Sequence, residues 1–284
     1  MNIYSYNSTG TKTLIPFEYF TFSGGEEHIR LSHELLSDSV KVEIFDRLTD
    51  SSKIMRLMIA VDSLKRVISA YTPIELVIPY FPYARQDRVC VTGGAFGARV
   101  MANFINNLGF SKVTIWDAHS DVSPALLDRV ENIEQVTILQ KCAKLSNLLA
   151  NGDITLISPD AGASKKTLKI SQQFNGVPDI IQANKVRNLK TGEITKTEIL
   201  GNVKGKHVLI VDDICDGGRT FVELAKELKA EGSLSITLFI THGIFSKGLE
   251  VFNGLIEHIY TTDSFKPAHE FIENENINLH IIEM

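Results

Sequence analysis

Two hydrophobic rhythms alternate along this 284-residue chain. Short apolar runs stop abruptly at polar residues, and between them apolar positions recur every three or four residues. Val40-Lys41-Val42-Glu43-Ile44-Phe45 alternates as a half-buried strand does. Ile54, Leu57, Met58, Val61, Leu64 and Ile68 share one helical face. Leu76–Tyr80 reads as a buried strand, Ala95–Leu108 as a helix stopped by Gly109, and Val113–Trp116 as another strand. The order then repeats: a helix over 141–150, a strand at Ile154–Ile157, an extended stretch from Asp179, a strand at Val208–Val211, a helix to about Glu231 and a strand at Ser235–Ile240. Near the start, Phe22-Ser23-Gly24-Gly25-Glu26 is a glycine turn leading into alternation through Leu31. Strands alternating with helices, with polar residues gathered behind the strands, predict parallel α/β layers.

Composition narrows the class. Apolar content of 44% and charged content of 22% suit a soluble globular protein large enough for one or two cores. No apolar run approaches the ~20 residues of a membrane-spanning helix, and no signal peptide is evident, so a cytoplasmic protein is expected. Cys90, Cys142 and Cys215 are too few and too scattered for a disulfide framework or zinc site. A net charge of −5 argues against nucleic-acid binding.

The richest chemistry follows the Val208–Val211 strand. Asp212 and Asp213 come where a strand should leave the sheet, the end at which α/β proteins bind ligands. Asp216-Gly217-Gly218-Arg219-Thr220 then leads into a helix, joining amides that can turn toward an anion to a hydroxyl and a guanidinium. A sugar phosphate requires that mixture. A Walker B strand would also end in acids, but the nearest upstream loop, Gly201–His207, is one residue short and ends in His. In the other half, Arg85 and Arg88 follow a strand and Arg99 lies on the next helix, where guanidinium groups can fork onto phosphates.

The Val208–Thr220 frame resembles the phosphoribosyl-diphosphate-binding loop of the type I phosphoribosyltransferase fold, with Gly217 in place of a Thr and Arg219 in place of a small residue. Pro79-Tyr80-Phe81-Pro82-Tyr83-Ala84-Arg85-Gln86-Asp87-Arg88 closely resembles the signature of ribose-phosphate diphosphokinases. Asp117-Ala118-His119, Ser158–Gly162 and Thr241–Ser246 follow in family order, so the resemblance covers most of residues 20 to 265.

That resemblance implies two phosphoribosyltransferase-like α/β domains, residues 1–140 on the ATP side and 141–284 carrying the ribose-phosphate loop, with the active site between them. It implies an ATP site from Phe22, Glu26, Arg85, Gln86, Asp87, Arg88 and His119, and Mg²⁺ contacts from His119 and Asp160. Lys185 and Arg187 would act on the transferring phosphates, with 188–201 as a polar lid. Asp212, Asp213, Asp216, Gly217, Gly218, Arg219 and Thr220 would bind the ribose phosphate. No residue is assigned as a general base. Gly24 replaces an Asp of the family's adenine hairpin, which there serves a neighbouring subunit, so a homo-oligomer (a dimer or more, up to a hexamer) is implied. The short termini imply loss of regulation by phosphate or ADP.

Three alternatives stay open. The acceptor could be a larger molecule such as ADP-ribose, given the extra charge at Arg219 and the space at Gly217. A phosphoribosyltransferase would have no use for the Phe81–Arg88 string. A non-catalytic regulatory subunit would not need Lys185, Arg187 and His119.

Overall fold

The structure is a computed structural model. It describes residues 1–187, 194–272 and 274–284, with the backbone alone for 185–187 and 194–196. The chain divides into two units, Met1–Ile133 and Glu134–Met284.

The first unit opens with β1 (Asn2–Tyr6), β2 (Lys12–Leu14), β3 (Phe17–Thr21), β4 (Glu27–Leu31) and β5 (Lys41–Phe45). It continues with α1 (Ser51–Val67), β6 (Ile74–Val77), α2 (Gly97–Leu108), β7 (Lys112–Trp116), α3 (Val122–Leu126) and β8 (Val130–Ile133). The sheet order is β2-β1-β5-β6-β7-β8; β5 to β8 are parallel, and β1 is antiparallel to both its neighbours. α1 starts where the Asp50 side chain accepts from Lys53 N at 3.0 Å, and buries Leu57, Ala60, Val61 and Leu64. β6 stops at Val77, short of the expected Tyr80, because Pro79 has no N–H for a ladder. α2 starts at Gly97 rather than Ala95, and Gly109 ends it in a left-handed conformation. β3 and β4 form a separate antiparallel hairpin.

The second unit contains α4 (Gln135–Gln140), α5 (Ala143–Asn151), β9 (Thr155–Ser158), α6 (Ser164–Gln173), β10 (Ile180–Arg187) and β11 (Ile194–Leu200). Then come β12 (His207–Cys215), α7 (Arg219–Ala230), β13 (Ser235–Gly243), β14 (His258–Thr262) and β15 (Asn278–Ile282). Its sheet order is β11-β10-β9-β12-β13-β14-β15, parallel throughout except for β11. From β9 the chain winds one way to β10, and from β12 the other way to β15. The switch point therefore lies between β9 and β12, the place where open α/β sheets leave a crevice at their carboxyl ends. Each unit has its own apolar core. Leu57, Leu76 and Ile105 lie in the first, and Ile210, Leu224 and Ile240 in the second.

Candidate active site

In the second unit, β12 does not end at Val211. It runs on through Asp212 and Asp213 to Cys215, still paired to β13, with Asp212 opposite Ile240 and Ile214 opposite His242. Its pairing with β9 stops earlier, at Ile210. The two acids thus sit on rigid strand backbone, beyond the last rung shared with β9. Asp212 Oδ1 accepts from Asp213 N at 2.9 Å, and Asp213, only 6% exposed, has Lys166 Nζ of α6 at 3.6 Å. Burial, the Asp213 charge and the nearby Asp160 together hold the Asp212 carboxyl well above its usual range. Asp160 follows β9; its Oδ1 accepts from Ala163 N at 3.1 Å, folding the loop into α6.

The following loop turns on Gly218, whose φ of +76° suits glycine. A β-carbon there would also stand 2.6 Å from Phe252 Cζ. α7 begins at the next residue with no side-chain cap, leaving its first turn open to an anion. Asp216 Oδ1 accepts from Ser246 Oγ at 2.6 Å. Arg219 points along its own helix and pairs with Glu223 Oε1 at 2.7 Å. Cys215 is fully buried, and that burial pushes its thiol up and out of reach of thiolate chemistry.

Lys185 and Arg187 fall at the end of β10, where Lys185 stands opposite Thr197 and Arg187 opposite Ile194. The register skips Thr195 on β11, so the extra residue belongs to that strand. The side chains of Lys185 and Arg187, and residues 188–193 of the expected lid, lie outside the described residues.

In the first unit, Phe22 N bonds Glu26 O and Gly25 N bonds Phe22 O, both at 2.8 Å, closing the hairpin between β3 and β4. Phe22 is half exposed and meets Phe20 edge-on at 5.0 Å, with His28 at 6.0 Å, beside an exposed Glu26. The Phe81–Arg88 string is anchored by buried Phe81 and Ala84 and leaves Arg85, Gln86 and Arg88 exposed. Asp87 is half-buried, with Arg88 Nε at 4.0 Å. Tyr83 holds a φ of +60°. Gln86 O accepts from Ala98 N at 3.1 Å, and a β-carbon at Gly97 would strike the Gln86 side chain. Asp117, at φ +41°, donates its N–H to Ile133 O at 2.7 Å, which leaves His119 exposed at the carboxyl end of β7. Among the described residues no three His, Cys, Asp or Glu side chains gather as a metal site.

Three further residues stand beside these groups. Lys166 lies on α6, between β9 and β10. Gln135 is buried and donates to Asp212 O at 2.7 Å and to Thr241 Oγ1 at 3.3 Å, linking α4 to β12 and β13. Nothing local marks either residue. Phe20 had a signal: it is two residues from Phe22 on an alternating strand.

Residues 7–109 match the N-terminal domain of ribose phosphate pyrophosphokinase, and residues 129–256 match the phosphoribosyl transferase domain. The ribose-phosphate pyrophosphokinase of Thermosipho africanus is 32% identical over 222 residues, which is 77% of this chain and 68% of that protein. The Mesorhizobium japonicum protein of the same name is 28% identical over 261 residues, 91% of this chain and 82% of that protein. The crystal structure of phosphoribosylpyrophosphate synthetase from Mycobacterium smegmatis superposes with a TM-score of 0.81 at 22% identity, covering 95% of this chain and 87% of that one. The α/β units are therefore of phosphoribosyltransferase type.

Proposed function

Because the chain belongs to the ribose-phosphate pyrophosphokinase family of transferases, we propose that it transfers the β,γ-diphosphate of ATP to the anomeric hydroxyl of ribose 5-phosphate. A bond forms between the anomeric oxygen and the β-phosphorus, the bond from that phosphorus to the α,β-bridging oxygen breaks, AMP leaves with that oxygen, and the hydroxyl proton is released to solvent. The observation that carries this reading is the switch point between β9 and β12. There an acid pair on fixed backbone, a glycine turn and an uncapped helix start serve one ligand that is part sugar and part phosphate.

The open first turn of α7 takes the 5-phosphate through its amides, and Asp212 and Asp213 take ribose hydroxyls. Asp160, on the loop after β9, is assigned to Mg²⁺, which binds through few carboxylates and keeps waters, so a full set of protein ligands is not required. His119 is assigned to the Mg²⁺–ATP side of the chemistry. When bound, the ion supplies charge neutralisation to the phosphate oxygens. Lys185 and Arg187 are assigned to the transferring phosphates, since phosphoryl transfer asks a protein mainly for alignment and charge stabilisation. Exposed Arg85, Arg88 and the Phe22–Glu26 turn suit ATP, and a turn so exposed supports the homo-oligomer reading. No helix among the described residues is long and apolar enough to cross a membrane, and we assign the protein to the cytoplasm, where ATP is supplied.

The test incubates the protein with Mg²⁺–ATP and ribose 5-phosphate, with ADP-ribose in a parallel arm, and follows AMP and product mass. AMP should form with ribose 5-phosphate, stop in EDTA and return with Mg²⁺. No AMP with either acceptor, or full activity in EDTA, overturns the reading. The ADP-ribose arm tests the larger acceptor, since a side chain at Gly217 would meet Lys247 Cγ at 3.4 Å and Ser246 Oγ at 3.9 Å without a clash.

A further inference from the structure

Arg219 is the cation within the 216–220 loop, yet its guanidinium is 87% exposed and engaged by Glu223 one turn along α7. A different cation lies across the loop. A β-carbon at Gly217 would stand 3.4 Å from Lys247 Cγ and 3.9 Å from Ser246 Oγ, so the aliphatic stem of Lys247 lies beside Gly217, in contact range of the position a side chain would take.

The backbone carrying Lys247 is strapped to the loop. Ile244 N and Phe245 N both bond Cys215 O, at 2.9 and 3.1 Å, and Ser246 N bonds Asp216 O at 3.1 Å. Ser246 Oγ adds a fourth bond, to Asp216 Oδ1 at 2.6 Å. Gly248 N closes the turn onto Phe245 O at 3.0 Å. Phe245 takes a φ of +49°, which its ring secures by packing edge-on against Phe252 and Phe271, each at 6.3 Å. Phe252 is also the residue that leaves no room for a side chain at Gly218. One aromatic cluster thus sets both the phosphate turn and the turn that holds Lys247. The lysine is exposed and makes no ion pair among the described residues.

We infer that Lys247 is the cation that grips the phosphate held in the 216–220 loop, in place of Arg219. This rests on the reading of that loop as the 5-phosphate site. Charge reaches the anion from the β13 side, beside the glycine, while the α7 amides reach it from below. A lysine contributes one mobile point charge, which suits a terminal phosphate monoester with freely exposed oxygens.

The test compares wild type, Lys247→Met, Lys247→Arg and, as a charge-matched control, Lys226→Met on the exposed face of α7. Ribose 5-phosphate binding is measured by calorimetry, and KM for each substrate by AMP release. Lys247→Met should weaken ribose 5-phosphate binding and raise its KM about 10- to 100-fold. KM for ATP should stay within about twofold, the level of the control. Lys247→Arg should restore most of the affinity, and the wild-type affinity should fall with added salt more steeply than that of Lys247→Met. If Lys247→Met binds ribose 5-phosphate as wild type does, the inference is wrong. If wild type itself neither binds ribose 5-phosphate nor releases AMP, the failure belongs to the proposed function instead.

Discussion

Two adjacent glycines in the phosphate turn have opposite tolerances. Gly218 is left-handed and closed in by Phe252, so Gly218→Ala meets both a backbone penalty and a steric clash, together about 2–5 kcal/mol. Gly217 has no such conformation, and its nearest neighbour would be at ordinary contact distance, so Gly217→Ala should stay within about 0.5–1 kcal/mol of wild type. Urea unfolding of the two variants checks the contrast, and equal destabilisation would refute it. The sequence shows two glycines in a row. It does not show which of them Phe252, over thirty residues away, has closed off.

At the scale of elements, β12 is both the best-read and the most misread strand. Its four apolar residues announce it plainly, but Asp212 and Asp213 look like a loop because carboxylates rarely continue a buried strand. What keeps them in the sheet is pairing with β13 on one side after β9 has ended, a tertiary fact no local pattern carries. The long helices and the Val, Ile and Leu runs were legible for the converse reason: their burial is written in the sequence, as a period in the helices and as unbroken apolar runs in the strands. β14 and β15 were missed because His258, Tyr260 and His280 mix aromatic and polar character on one edge of the sheet. Placing Asp212 on this strand has a thermodynamic signature. Its carboxyl holds a proton more tightly folded than unfolded, so the group favours folding below its unfolded-state value. That contribution is lost as the pH rises through the raised folded-state value, and above it the charge strains the site. Asp212→Asn should therefore raise Tm at pH 8 in EDTA, with a smaller gain at pH 5, while turnover falls ~100-fold. An unchanged Tm at both pH values would show that the carboxyl is not penalised.

Across the whole molecule, two separate apolar cores predict two cooperative transitions. Trp116 is the sole tryptophan, is 4% exposed and belongs to the first unit, so its emission reports that unit alone. Far-UV circular dichroism reports both units. In urea the two probes should give different midpoints, and coincident curves would show that the cores unfold as one. Tyr83, Asp117 and Phe245 bear on the same question of robustness, since each holds a left-handed backbone without being glycine, and each borders a loop assigned to substrate. Such conformations cost roughly 1–3 kcal/mol apiece. A lineage under pressure to survive heat that relaxed these three positions would loosen, with each gain, a turn that aims a binding group. Arg129 and Asn175 hold the same conformation outside any loop assigned to substrate, so hardening this scaffold safely means starting there.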